Sequence, residues 1–259
     1  MMTFSLKILL PSAALLSAVA IVSPASAQTC IGACGTLGAN GVVTASPLGG
    51  TYQYVTTAGG LSGKGQIASV GGTNGSELLT PIFSAASGGA LKFYFQYVTS
   101  DGAGFADYAF AELLNGTGSH VAYLFTARTT TVGDTSPGFG LPTNDSTLNP
   151  ATTPINPNLT TWSALGASSG TCYSGGCGST GWIQSTYSIA TAGNYQLRFG
   201  VTNWNDSQFD SGLAFAGVTI GDTPVPTGVP EPTSWAMMIG GFALAGGALR
   251  SRRTRVAFA

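Results

Sequence analysis

The chain has 259 residues, enough for one large or two small domains, but only nine Lys or Arg and ten Asp or Glu. That 7% charge stands against about 25% in a typical soluble domain. Four of the nine cations lie in the last ten positions, so no basic face remains for nucleic acid. The 38 glycines and the scarcity of strong helix formers disfavour a helical fold, and the 13 Phe, nine Tyr and four Trp exclude highly charged disorder.

At the N-terminus, Lys7 precedes an apolar run from Ile8 to Val22, and Ser23-Pro24-Ala25-Ser26-Ala27 supplies small residues at a cleavage site. Residues 1–27 therefore read as a secretory signal peptide, cut by signal peptidase after Ala27. A lipoprotein reading of Cys30 is opposed by Gln28 and Thr29, which are not the small pair expected before a lipidated cysteine. The exported body, residues 28–224, carries Lys64, Lys92, Arg128 and Arg198 against seven Asp plus Glu77 and Glu112, so four cations and nine anions leave −5. Such a surface repels polyanions and attracts cations.

All four cysteines, Cys30, Cys34, Cys172 and Cys177, lie in this body, and an even number in an exported chain points to disulfides. Three connectivities are open. The two local pairs are expected, since each closes a short loop containing glycine. Zinc chelation is the alternative, opposed by an oxidising compartment.

Leu91, Phe93, Phe95 and Tyr97 alternate with Lys92, Tyr94, Gln96 and Val98, which is the period of a strand. Tyr195, Leu197, Phe199 and Val201 alternate likewise with Gln196, Arg198 and Gly200. Further strand candidates run from Tyr52 to Thr57, Gln66 to Val70, Asp107 to Leu114, Val121 to Ala127, Trp182 to Ile189 and Leu213 to Ile220. Eight short strands between Gly, Asn and Ser turns predict an all-β fold: a single antiparallel two-sheet sandwich of jelly-roll-like type. From 129 to 181 the alternation fails and five prolines appear, which predicts a long loop. Its Trp162, Phe139 and Tyr173 either pin the loop to the sandwich or, at Trp162 and Tyr173 above all, stack on a sugar ring.

Chemistry has few places to reside. His120 is the sole histidine, in the turn Asn115-Gly116-Thr117-Gly118-Ser119-His120, so a multi-histidine metal site is excluded. Gly166-Ala167-Ser168-Ser169-Gly170 matches the esterase string G-x-S-x-G but lacks the strand and helix that the motif requires. Gly63-Lys64-Gly65 lacks the earlier glycine and the hydroxyl of a phosphate loop. Asp101 and Asp107 flank one predicted turn, and Asp206 and Asp210 flank another. Both turns follow a Val-Thr strand end and precede an aromatic-bearing strand, so four carboxylates could converge at one sandwich edge. Three readings stay open: turn-capping groups, a calcium site and a catalytic acid pair.

At the C-terminus, Thr233 to Leu249 forms an apolar segment of 17 residues, roughly 26 Å as a helix, against a bilayer core of about 30 Å. Prolines precede it and Arg250, Arg252, Arg253 and Arg255 follow, so a transmembrane helix over 233–249 with a cytoplasmic tail is expected. Pro230, Glu231, Pro232, Trp235 and Ala236, then the apolar segment and Arg252-Arg253, resemble the PEP-CTERM sorting signal in its PEPxxWA form. The resemblance covers about the last 30 residues, within a tail of linker, helix and Arg-rich end at 225–259. It implies recognition by an exosortase, a membrane cysteine protease, and an association with exopolysaccharide.

The stretch from Gly200 to Phe215 is similar to the last hairpin of jelly-roll domains common in such proteins, although Ala216 stands where those domains often place an aspartate. The first expectation is thus a non-enzymatic exported surface or matrix protein. A polysaccharide-binding module, with calcium as its only expected cofactor, is the second. A secreted glycoside hydrolase or lyase using Asp/Glu is the third.

Overall fold

The computed structural model describes residues 28–225 and a helix α1, Pro232–Ser251. The signal peptide at 1–27, and Pro230, Glu231, Arg252 and Arg253 of the sorting motif, lie outside the described residues.

Eight strands build the body: β1 Tyr52–Thr56, β2 Asn74–Leu79, β3 Ala90–Thr99, β4 Tyr108–Asn115, β5 His120–Arg128, β6 Ile183–Ser188, β7 Gly193–Thr202 and β8 Ser211–Ile220. They pair antiparallel in two sheets, with order β2-β7-β4-β5 in one and β6-β3-β8-β1 in the other. The all-β sandwich read from the alternation is therefore present.

The core lies where the inner faces meet. Alternation on β3 turns Leu91, Phe93, Phe95 and Tyr97 inward, all buried. Phe95 stacks on Phe125 of the facing sheet at 3.7 Å between ring centres, Phe199 stacks on Phe215 at 3.8 Å, and Phe93 meets Phe199 edge-on at 5.4 Å. Each such ring contributes about 1.5–3 kcal/mol by leaving water.

The N-terminal segment crosses from one sheet to the other. Thr29–Ile31 pairs with β2, Ala33–Leu37 pairs with β1, and the Cys30–Cys34 disulfide spans that crossing. Cys172 and Cys177 form the second local pair, so both expected disulfides are present.

Two segments depart from expectation. Gln66–Val70 is a turn, not a strand: Ile67 is buried against Tyr108 and Phe110, its N–H donates to the Tyr108 hydroxyl, and Val70 N–H returns to Ile67 O. The strand in that part of the chain is β2, whose Gly75 and Ser76 break the apolar pattern. Gly75 is required there, because a Cβ would lie 2.1 Å from Val201 O on the neighbouring strand.

The stretch 129–181 is also more than a loop. It carries Thr147–Asn149 on the edge of β6, a two-residue pairing of Asn156–Pro157 with Gly178–Ser179, which in turn pairs with the end of β3, and a 3₁₀ turn, Ser163–Ser168. That turn, with Trp162 and Leu165, covers the outer face of the second sheet against Tyr52, Val98 and Ala214.

The apolar C-terminal segment is helical, but among the described residues no helix is long and apolar enough to cross a membrane, which corrects the expected span at 233–249. Four glycines, Thr233 and Ser234 dilute its hydropathy, and Pro232 and Arg250 bound it. Met238, Ile239, Phe242 and Leu244 on this helix are exposed.

Candidate functional site

The β3–β4 turn, the β7–β8 turn and the disulfide loop 172–177 meet at one edge of the sandwich. Ser100 N–H and its hydroxyl both donate to Asp210 O, at 3.1 and 2.7 Å, which ties the two turns together. The disulfide loop joins them through Tyr173 N–H to Ser100 O at 3.0 Å and Ala103 N–H to Gly175 O at 2.9 Å. Gly102 makes this approach possible, since a Cβ there would sit 2.0 Å from Ser174 Oγ.

The predicted aspartates occupy this edge in different ways. Asp107 is buried, and its carboxylate accepts from Trp204 N–H at 2.8 Å and from Ser211 Oγ at 2.7 Å. Burial pushes its pKa well above the usual carboxylate range, aided by Asp101 and Asp206 and opposed by the bond from Ser211. Asp101 is also buried. One carboxylate oxygen accepts from Gly102 N–H at 2.6 Å, while Oδ2 has no hydrogen-bond partner. Burial raises it to about 6, with the bond from Gly102 opposing and the charge of Asp206 adding.

Asp210 accepts from Thr57 Oγ1 at 2.9 Å and Ser168 Oγ at 3.0 Å, and Asp206 accepts from Gln208 N–H within its own turn at 3.1 Å. The turn-capping reading thus describes Asp101 and Asp206, whereas Asp107 and Asp210 bind donors from other elements. Among the described residues no three His, Cys, Asp or Glu side chains are grouped to hold a metal ion. Ser168 of the esterase-like string is bound to Asp210 on the 3₁₀ turn and has no strand before it.

The aromatic candidates separate. Trp162 is fully buried: its indole N–H donates to the Tyr52 hydroxyl at 3.0 Å and its ring packs on Tyr54 at 5.8 Å. It is a core residue, which overturns the sugar-stacking expectation for it, because the turn after it folds back on the outer face of the sheet. Tyr173 is 51% exposed and lies at the edge, with Phe105 edge-on at 5.5 Å and Phe209 at 4.9 Å. Phe105 and Phe209 escaped the sequence reading, although each is a large ring inside an acidic turn already singled out.

Trp204, on the same β7–β8 turn, lines a cleft of about 210 Å³ with Val70, Gly72, Thr73 and Asn205. Beneath it the Arg128 guanidinium lies 4.6 Å from the Trp204 ring and 4.9 Å from Phe139, and its Nε donates to Ala106 O at 2.8 Å. Three non-glycine residues of these turns, Ala106, Asn205 and Phe209, hold positive φ of 30°, 69° and 52°. Backbone in that region costs of order 1–3 kcal/mol per residue and persists only where its surroundings enforce it. The hydrogen bonds across the three loops provide that enforcement.

Away from this edge, His120 is an exposed residue at the start of β5, with Nδ1 2.7 Å from Glu112. Glu112 lies 2.9 Å from Arg198, which also reaches Glu77 at 3.7 Å. Comparison with protein-family models, curated proteins and solved structures finds no match to this chain.

Proposed function

We propose that the chain is an exported, non-enzymatic protein of the cell surface or extracellular matrix. On this reading signal peptidase removes residues 1–27, an exosortase-type membrane protease acts at the Pro-Glu-Pro motif, and the released body joins exopolysaccharide outside. The observation that carries the reading is the pair of disulfides, one of which spans the crossing between the two sheets. Such bonds form and persist in oxidising, extracytoplasmic compartments.

The strand orders β2-β7-β4-β5 and β6-β3-β8-β1 are those of a jelly roll, which supports the finer fold reading drawn from the sequence. The non-enzymatic part draws on the state of the acidic groups. Asp107 and Asp210 are bound by turn donors, and His120 is held against Glu112. A glycoside hydrolase instead requires two carboxyls facing each other across an open groove, about 5–10 Å apart.

Deleting residues 230–259 tests the sorting step. The truncated protein is expected to lose its surface or matrix retention in a cell fractionation. Retention equal to that of the full chain overturns the reading.

A further inference from the structure

We propose that the loop edge carrying Phe105, Tyr173 and Phe209 is a binding site for a neutral glycan, a sugar unit of which stacks its C–H face on Tyr173, with Phe105 and Phe209 flanking it. The three rings come from three separate loops and stand 5.5 and 4.9 Å apart between centres, inclined at 78° and 45°, so Phe105 and Phe209 brace the exposed Tyr173 ring from two sides. Tyr173 leaves half of its surface in water, and Phe105 and Phe209 are partly open beside it.

The platform is fixed before any ligand arrives. The Cys172–Cys177 bond closes the loop of Tyr173, backbone hydrogen bonds tie that loop to Ser100 and Ala103, and Phe209 is held at positive φ. Binding to a rigid surface avoids the cost of ordering it.

Size and charge select the occupant. A stable protein partner needs about 800 Å² on each side, far more than three rings offer. None of residues 100–107, 171–177 and 203–210 is Lys or Arg, the nearby Arg128 is buried beneath Trp204, and the body carries −5, so an acidic polysaccharide meets no exposed counter-charge on these loops. Exposed Ser207 and Gln208, on the turn of Phe209, supply groups that hydrogen-bond sugar hydroxyls. The Trp204 cleft on the same turn extends the surface in a further direction. The inference stands on this geometry and is independent of the sorting step, so failure of one leaves the other untouched.

The test is calorimetric titration of the full-length chain with cellohexaose, laminarihexaose, mannohexaose and xylohexaose, with oligogalacturonate as the anionic probe and choline as the cationic one. At least one neutral hexasaccharide is expected to bind, and more tightly than oligogalacturonate. Tyr173→Ala is expected to weaken it about tenfold, as loss of one stacked ring implies, with an unchanged thermal melt. Tyr173→Phe, which keeps the ring, retains most of the affinity and guards against a mere loop collapse. The proposal is overturned if no neutral oligosaccharide binds, if Tyr173→Ala binds as the parent does, or if only choline or oligogalacturonate binds.

Discussion

Strand β4 carries one buried carboxylate within it and another at its threshold, and the fold treats them in opposite ways. Glu112, in mid-strand, has a cation beside it on β7, Arg198 at 2.9 Å, and His120 at 2.7 Å on β5. Asp107, immediately before the strand, has only the dipoles of Trp204 N–H and Ser211 Oγ, and the other carboxyls around it raise its pKa further. The nearest buried cation, Arg128, donates to Ala106 O and Phe139 O and lies among Tyr108, Phe139 and Trp204. The sheet face thus meets its buried carboxylate with opposite charge, and the loop edge meets its own with hydrogen bonds and a raised pKa. The first arrangement supports the sheet; the second holds turns in strained positions where rings reach the surface.

The comparison breaks most visibly at Arg198. Arg198→Met strands Glu112 in a buried position beside Glu77, and a loss of about 3 kcal/mol is expected, since removing one partner of a buried pair costs about 3–5 kcal/mol and Arg198 is partly exposed. A denaturant midpoint equal to that of the parent would show that His120 alone carries Glu112.

Next comes Asp107→Ala, which leaves Trp204 N–H and Ser211 Oγ without their acceptor. The expected loss is about 2 kcal/mol in the same denaturation experiment.

The smallest effect has the opposite sign. Asp101 has an unpartnered oxygen, and its pKa rises from 3.8 in the open chain to about 6 in the fold. Between pH 4 and 6 the unfolded chain ionises while the folded group keeps its proton, so stability falls as pH rises through that window. Asp107, also raised by burial, acts in the same sense. Asp101→Asn is therefore expected to raise stability by about 1 kcal/mol at pH 7 and to flatten the slope between pH 4 and 6. Thermal melts across that range check it; an unaltered slope assigns the titration elsewhere.

Much of the frame was legible beforehand. Alternating Phe93, Phe95 and Tyr97 face a single core, and the observed β3, Ala90–Thr99, exceeds the predicted run by one residue at each end. The local cysteine pairing also followed from loop length and glycine content. Strand β2 was hidden because Gly75 is there for a close approach to β7, and nothing in the local sequence reports a neighbour that lies 126 residues away at Val201. Ile67 misled for the reverse reason: a buried aliphatic residue in a turn has the same composition as one in a strand.

At the candidate site the sequence supplied the two acidic turns and Tyr173, while Phe105 and Phe209 became partners of Tyr173 only when three loops met. Trp162 and Tyr173 were equal candidates in a proline-rich stretch, and packing against Tyr52 separated them. By itself the sequence determined the all-β class, the strand periods, the cysteine pairs and the acidic body, because each is written in residue type and spacing over a few positions. The tertiary structure alone decided which rings are open to water and which carboxylates have their pKa raised, because burial and proton affinity depend on partners far along the chain.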